Sequence, residues 1–276
     1  MTMPLTLMRR RLMWMRSAVA LAIAAVGSTA MAADPPSFTF DPVAVGLTGT
    51  TVTANNILIS DYSRVTFTDG SAFTESGYLV VTGFQSATDP KITVPGLGMY
   101  VRFDATGTTS STNPATAPTT ATFSTLTYTL YGYNDVGTAT FGFDGGGNPT
   151  ETATGEKVLA TGTLQSGGGS TLPDPQSGKF YAFAGAALNF VVDPTNAAFF
   201  ATPNPFFDTA LTTFANTPDT VTPFETGFLI TQGGGKISYA QQVTAVPEPE
   251  TYALLLAGLG VVGFMARRRE LQGRSQ

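Results

Sequence analysis

The chain of 276 residues contains no cysteine and no histidine. Without cysteine it can form no disulfide bond and supports no thiol chemistry. Without histidine, Ser-His-Asp triads, histidine-dependent metal catalysis and most zinc sites are excluded. The sequence also lacks a G-x-S-x-G nucleophile motif and a Walker phosphate-binding loop. These absences remove several large classes of hydrolase, metalloenzyme and nucleotide-binding protein, and we expect no enzyme activity.

Charge is also scarce, and it is unevenly distributed along the chain. Of the 14 basic and 19 acidic residues, eight basic ones lie in the two terminal segments, which leaves residues 33–246 with 6 basic and 16 acidic residues and a net charge of −10. An acidic body of this kind repels nucleic acid and anionic lipid, so no nucleic-acid partner is expected. It also repels acidic polysaccharide unless divalent cations bridge the two.

The N-terminus has the pattern of an export signal. Four arginines (Arg9, Arg10, Arg11 and Arg16) precede an apolar stretch over residues 18–26. Ala30-Met31-Ala32 follows as an A-x-A cleavage site, and cleavage after Ala32 leaves Ala33 as the first mature residue. Residues 1–32 are therefore predicted to be a signal peptide with a helical apolar core, and the remainder is predicted to be exported.

The C-terminus contains the segment "AVPEPETYALLLAGLGVVGFMARRRE" at residues 245–270. Counted from Pro247, the stretch before the arginines has about twenty residues, which is enough for a helix to span a bilayer. Arg267, Arg268 and Arg269 would then stay on the cytoplasmic side. Pro247 and Pro249 hold the chain ahead of this helix extended. The alternative is a buried core helix, but a soluble core rarely ends in three consecutive arginines.

A signal peptide, a polar body and this C-terminal order of motif, apolar helix and arginines resemble the PEP-CTERM proteins, which are exosortase substrates of Gram-negative bacteria that make exopolysaccharide. In that family Val246, Pro247, Glu248 and Pro249 would be the recognition motif, and Arg267–Arg269 the cytoplasmic stop. The resemblance implies that residues 247–276 are a sorting signal. It also implies a transient inner-membrane anchor, cleavage by exosortase, and a final place on the cell surface or in the extracellular matrix.

The body carries a second resemblance. The segments "SFTFDP", "YTLYGYNDVGTATFGFDGGGNPTETATGEKVLATGTL" and "NAAFFATPNPFFD" are similar to the flocculation-associated branch of the PEP-CTERM proteins. This resemblance implies a role in cell aggregation within exopolysaccharide. The partners would be exopolysaccharide or components of a neighbouring cell surface.

Alternation of apolar and polar residues at period two predicts an all-β fold. Met99, Val101 and Phe103 show it, and other expected strands lie at 64–68, 78–82, 126–130, 158–164, 179–183, 188–192, 227–231 and 236–240. Turns are predicted at 69–70, 95–96, 145–147, 167–169 and 233–235, and a short helix at 208–215. Residues 33–246 are therefore predicted to form a single β-sandwich or jelly-roll-like domain between the signal helix and the transmembrane sorting helix.

Two biased stretches leave alternatives open. Thr106–Thr127 holds ten threonines, and its first part, to about Thr120, is predicted to be a mobile loop or an O-glycosylated segment. Phe199–Phe214 holds five phenylalanines, which predict either a loop folded onto the core or an exposed adhesive patch.

Acidic residues supply the remaining candidate sites. Asp135, Asp144 and Asn148 surround a glycine-rich loop and are either solvated turn residues or calcium ligands. Paired carboxylates would also serve a secreted carbohydrate-binding or carbohydrate-active protein with an acidic cleft, which is the alternative function. No cofactor is expected, because Gly258, Gly260 and Gly263 lie inside the apolar tail rather than after a strand of a dinucleotide-binding unit.

Overall fold

The computed structural model describes residues 34–68 and 70–241, which are mostly β-structure. The strands are β1 (Phe38–Phe40), β2 (Val52–Ala54), β3 (Asn56–Phe67), β4 (Ala72–Gln85), β5 (Gly98–Thr109), β6 (Thr119–Tyr133), β7 (Phe141–Phe143), β8 (Pro149–Glu151), β9 (Lys157–Asp174), β10 (Lys179–Asn189), β11 (Val191–Val192), β12 (Phe200–Thr202), β13 (Thr209–Asn216), β14 (Val221–Phe224) and β15 (Gly227–Ala240). Helix in these ranges is limited to 3-10 turns at Val43–Val45, Ala197–Phe199 and Pro218–Thr220.

Eight of these strands form a closed antiparallel barrel. In chain order, β3, β4, β5, β6, β9, β10, β13 and β15 each pair with the next strand, and β15 pairs back onto β3. The prediction of a β-sandwich or jelly roll is therefore wrong. A sandwich has two separate sheets, whereas hydrogen bonds here run around an unbroken ring. Period-two alternation is the same in both architectures and cannot distinguish them.

Two of the predicted turns lie inside barrel strands. Gly167–Gly169 belongs to β9, and Gly233–Gly235 belongs to β15. A Cβ atom on Gly169 would lie 2.6 Å from the backbone oxygen of Phe183, and one on Gly235 would lie 2.8 Å from that of Thr213. Glycine is needed here for close approach of neighbouring chains. The strands predicted at 158–164, 227–231 and 236–240 are therefore shorter than the observed β9 and β15.

The helix predicted at 208–215 is also wrong, because this segment is strand β13. Its inward residues Ala210 and Thr212 are buried, whereas Leu211 is exposed, which is the alternation of a strand. The predicted threonine-rich loop is shorter than expected. Thr106–Thr109 completes β5 and β6 begins at Thr119, so only residues 110–118 form the connection.

Aromatic packing closes one end of the barrel. The three-stranded sheet of β12, β1 and β2 places Phe38 and Phe40 in the core, and Phe38 contacts Tyr239 of β15 edge to face at 5.1 Å between ring centroids. Towards the other end, the buried Pro114 and the partly buried Ala115 come from the β5–β6 connection. The interior lies between these two closures.

The β7–β8 hairpin lies against the outer wall of the barrel. Arg64 of β3 donates hydrogen bonds from Nη1 to the backbone oxygen of Gly146 at 2.7 Å and to Oδ1 of Asn148 at 3.1 Å. Phe141 packs against Tyr78 of β4 and Tyr100 of β5, at centroid distances of 6.0 and 5.3 Å. These contacts make an aromatic cluster on the outside of β4, β5 and β6.

The predicted signal helix and transmembrane sorting helix lie outside the described residues. Within 34–68 and 70–241, no helix has the length and apolar character needed to cross a membrane. The boundaries proposed at 1–32, 33–246 and 247–276 remain predictions from the sequence.

Candidate functional site

The residues predicted for export and sorting are not among those the structure describes. They are Ala30, Ala32 and Ala33 at the signal cleavage site, Val246, Pro247, Glu248 and Pro249 in the motif, and Arg267, Arg268 and Arg269 at the stop. In the predicted roles, other proteins recognise these residues as short linear segments of the chain. The prediction therefore does not depend on the arrangement of the barrel.

The phenylalanine-rich stretch is part of the core. Phe199, Phe200 and Phe207 are buried, and Phe206 and Phe214 pack partly buried against the same cluster. Phe206 lies 4.7 Å from Phe200 and 5.1 Å from Tyr239, measured between ring centroids. The structure therefore favours a loop folded onto the core and rules out an exposed adhesive patch formed by these rings.

The acidic residues considered as calcium ligands accept hydrogen bonds from their own loops. Asp144 accepts from the side-chain and backbone nitrogens of Asn148, at 3.0 and 2.8 Å, and from the backbone nitrogen of Gly146. Asp135 accepts from the hydroxyl of Thr154 at 2.8 Å. These hydrogen bonds, chiefly those from the Asn148 and Thr154 side chains, lower the pKa of each carboxyl. Among the described residues, no three His, Cys, Asp or Glu side chains are grouped as metal ligands.

A shallow groove runs over the outer wall at β5 and β6. We call it the outer groove, and its side chains are Arg102, Asp104, Thr127, Thr129 and Tyr131. The register places Arg102 opposite Thr129 and Asp104 opposite Thr127, so all project from the same face of the sheet. Arg102 and Asp104 are exposed. The groove thus combines a guanidinium, a carboxylate, two hydroxyls and an aromatic ring.

Tyr131 joins the outer groove to the aromatic cluster. Its ring stacks on the buried Tyr100 at 4.9 Å with 20° between the planes, and the hydroxyl of Tyr100 donates to Glu156 at 3.1 Å. Burial raises the pKa of Tyr100, with further contributions from Glu151 and Glu156, so this hydroxyl stays protonated. Tyr131 is therefore held at a fixed position beside Arg102.

Polar side chains also lie inside the barrel. We call them the polar belt: Asp61 and Ser63 on β3, Glu75 on β4 and Asn216 on β13. All except Ser63 line an internal cavity of about 130 Å³. Ser63 lies opposite Gly77 of β4, and Asp61 lies opposite Gly233 of β15, so each has a glycine on one of its two neighbouring strands. The barrel interior therefore contains two carboxyl groups beside a cavity.

The two belt carboxyls have strongly raised pKa values. Burial raises the pKa of Asp61 well above its ordinary value, and the nearby charge of Glu75 raises it further. Burial likewise raises the pKa of Glu75 to about 7, although this side chain keeps some accessible surface facing the cavity. The Ser63 hydroxyl partly offsets both shifts, because it can donate a hydrogen bond to either carboxylate in its ionised form. In the structure its Oγ has no partner at hydrogen-bond geometry.

Sequence reasoning missed the belt, although a signal was present. Asp61 and Ser63 occupy the inward phase of a strand whose other inward residues are Ile57, Ile59 and Val65. Burying a carboxyl group among inward-facing apolar side chains costs free energy, and such a group is often functional. The sequence of β3 alone does not show which residues of other strands lie near Asp61 and Ser63. Glu75 could be placed beside them only from the β3–β4 register.

Comparison with known proteins concerns only the C-terminal segment. No curated protein and no solved structure matches this chain. Residues 245–269 match the PEP-CTERM protein-sorting motif. The match contains the predicted motif residues Val246–Pro249 and the three arginines Arg267–Arg269. The chain therefore carries the PEP-CTERM sorting signal, which implies an exported protein that is transiently anchored in the membrane and processed by exosortase.

Proposed function

We propose that this protein is a non-catalytic component of the cell surface or extracellular matrix that promotes aggregation of cells within exopolysaccharide. The sorting signal supports export to that location. The observation that carries the adhesive part of the proposal is the outer groove, because it is a solvent-facing set of side chains suited to contact a glycan.

The chemistry of the outer groove fits a polyhydroxylated or acidic chain. Arg102 can donate two parallel hydrogen bonds to a carboxylate or a pair of hydroxyls. Asp104 accepts from hydroxyls, and Thr127 and Thr129 donate or accept as required. Tyr131 offers a ring face that the aromatic cluster holds in place. Arg102 also supplies local positive charge on a body whose net charge of −10 otherwise repels acidic polysaccharide.

The contact at one outer groove is expected to be weak, so aggregation depends on the number of copies of the protein that bind at the same time. Many copies on one cell, each holding a chain that other copies also hold, raise the effective concentration of the remaining contacts. Aggregation follows from this multivalency without any chemical step.

The alternative of an acidic cleft for carbohydrate cleavage finds less support. A glycoside hydrolase needs two carboxyl groups on either side of a glycosidic bond. The pair Asp61 and Glu75 lies inside the barrel beside a cavity of about 130 Å³, which is too small for a polysaccharide chain. The acid pair therefore has no part in the proposed surface role.

The test is aggregation of a deletion strain that still secretes polysaccharide. The strain is complemented with the wild-type gene or with the double variant Arg102→Ala/Asp104→Ala. Sedimentation of aggregates is measured together with the amount of protein on the surface. We expect the deletion to lose aggregation, the wild type to restore it, and the groove variant to restore less than about half of it.

A matched control removes one charge of each sign from another part of the outer surface. Lys236→Ala/Glu225→Ala does so at exposed positions of β15 and of the turn before it, and should restore full aggregation. Normal aggregation of the deletion strain would refute the proposed function. Normal aggregation with the groove variant would refute the role of the outer groove alone.

A further inference from the structure

The internal cavity lies between two apolar clusters of the barrel. Along β3 the inward residues are first Ile57 and Ile59, then Asp61 and Ser63, then Val65, and these apolar residues belong to separate buried clusters. The same order holds on β4, where Glu75 lies between Phe73 and Leu79. The charged and amide side chains of the polar belt therefore lie between these two apolar clusters.

Three belt residues are almost completely buried and have polar atoms without hydrogen-bond partners. Asp61, Ser63 and Asn216 have exposed fractions of 3%, 0% and 3%. Oδ1 of Asp61, Oγ of Ser63 and Oδ1 of Asn216 each lack a partner. Buried polar atoms are nearly always hydrogen-bonded in folded proteins, so three such atoms in the polar belt indicate a missing group.

When Asp61 and Glu75 are ionised, the group missing from the belt must be a hydrogen-bond donor. The unpartnered oxygens of Asp61 and Asn216 are acceptors, and the titratable side chains lining the cavity are Asp61 on β3, Glu75 on β4, Tyr128 on β6 and Tyr239 on β15. Tyr128 already donates to the backbone oxygen of Asn189 at 2.9 Å. No lysine or arginine lines this cavity. A cation brought from outside would complement it.

Two glycines allow the belt side chains to pack closely against the neighbouring strands. A Cβ atom on Gly77 would lie 2.7 Å from Cα and Cβ of Ser63, and one on Gly233 would collide with Oδ1 of Asn216. A side chain at either position would therefore displace Ser63 or Asn216 from its place in the belt. The cavity itself lies beside Asp61, Glu75 and Asn216, where the unpartnered oxygens of Asp61 and Asn216 are found.

We propose that the barrel cavity is a binding site for a small primary amine with an apolar body, whose ammonium group contacts Asp61 and Glu75. An ammonium has three donors, which match the two carboxylates and one further oxygen of Ser63 or Asn216. The apolar body lies against one of the flanking clusters. A cavity of roughly 150 Å³ takes benzene in another protein, so a cavity of about 130 Å³ limits the apolar body to about one aromatic ring.

The ammonium also removes the cost of ionising the belt. Two buried carboxyls near one another resist ionisation, and an opposite charge within a few ångströms reverses that preference. Binding of the amine should therefore release a proton from Glu75 below pH 7. Water in the cavity would supply donors as well, but it would show no selectivity for a cation.

The test is calorimetric titration of the processed, exported form of the protein with benzylamine at pH 8 and pH 6. Benzylamine is protonated at both values, and toluene serves as the uncharged probe that keeps the ring and its attached carbon but lacks the ammonium group. We expect a single benzylamine site, affinity for toluene at least tenfold weaker, and affinity for benzylamine about tenfold weaker at pH 6 than at pH 8. Glu75→Gln and Asp61→Asn should each weaken benzylamine binding at least tenfold, and Glu75→Gln should remove the pH dependence.

Glu225→Gln is the matched control, because it removes a carboxylate from an exposed turn and should leave the affinity unchanged. Circular dichroism establishes whether each variant is folded. If Asp61→Asn does not fold, the comparison of Glu75→Gln with the wild type still tests the proposal. Absence of benzylamine binding would overturn the proposal and leave a hydrated cavity. Equal affinity for toluene and benzylamine, or unchanged affinity in the folded variants, would also overturn it.

Discussion

At the residue scale, Glu75 makes the stability of the barrel depend on pH. Its pKa is raised from 4.5 to about 7 in the folded protein, so the folded state holds a proton that the unfolded state loses between these values. The stability associated with this group is fully present below pH 4.5 and is lost as the pH rises through 7. Glu75→Gln should therefore gain up to about 3 kcal/mol in the free energy of unfolding at pH 8, and little at pH 4.

Urea denaturation of both proteins at pH 4, 6 and 8 measures this difference. Glu225→Gln removes the same charge from an exposed turn and should change the free energy of unfolding by less than about 0.5 kcal/mol at each pH. A constant difference between Glu75→Gln and the wild type across the three pH values would contradict the buried position of Glu75.

Also at the residue scale, Phe199 distinguishes a core role from an adhesive one. Its side chain is fully buried, and its ring lies 4.7 Å from Phe40 and 5.2 Å from Phe200, measured between centroids. Phe199→Ala should lower the free energy of unfolding by about 3–5 kcal/mol because it leaves a cavity. Phe183→Ala, at a ring that is 37% exposed, should cost less than about 1 kcal/mol. Thermal and urea denaturation compare the two, and equal small effects would contradict the buried cluster.

At the scale of elements, Gly235 tests whether residues 233–235 form a strand or a turn. In β15 this glycine lies opposite Phe214 of β13 and Ile59 of β3, where the barrel closes. A Cβ atom would lie 2.7 Å from Cδ1 of Phe214 and 2.8 Å from the backbone oxygen of Thr213. Gly235→Val should therefore destabilise the barrel by about 1–3 kcal/mol and increase amide hydrogen exchange in β13 and β15.

Gly145→Ala is the control for this element, because the turn between β7 and β8 leaves nothing within 4 Å of the added Cβ atom. Its effect on stability should be below about 0.5 kcal/mol. If Gly235→Val were equally neutral, β15 could not pass through this position as a paired strand.

At the scale of the whole molecule, the sorting signal is expected to determine where the exported polypeptide ends after processing. The processed protein should end near residues 245–250, because Pro247-Glu248-Pro249 lies just before the predicted membrane helix. Intact mass spectrometry of the surface form measures this end. Replacement of Arg267, Arg268 and Arg269 by alanine should reduce membrane retention and processing, because the orienting positive charge is lost.

Replacement of the same three arginines by lysine keeps the charge and should preserve processing. A surface form that still ends at Gln276 would contradict cleavage in the tail. Failure of the lysine variant would instead show that arginine itself is recognised.

The strands were largely predictable, whereas their closure was not. The segments predicted at 78–82, 158–164 and 227–231 lie within barrel strands, and 64–68 lies in β3 except for its last residue. Alternation predicts these strands because it reports which residues of one segment face the interior. The runs Gly167–Gly169 and Gly233–Gly235 were misread, because glycine is common in turns and a close approach of another strand is invisible in one sequence. The outer groove needed the β5–β6 register before its side chains could be placed together.

The sequence by itself determined the all-β class and the sorting signal. Both are local: alternation depends on neighbouring residues, and the signal is a linear segment recognised by other proteins. Only the tertiary structure decided that the strands form a barrel and that Asp61 and Glu75 share its interior. Those facts depend on pairing between β3 and β15, which lie at opposite ends of the exported body, and on the register that sets Ser63 against Gly77. Long-range pairing of this kind is fixed by the packing of the whole ring of strands. No single segment of the sequence specifies which distant strand it pairs with or in which register.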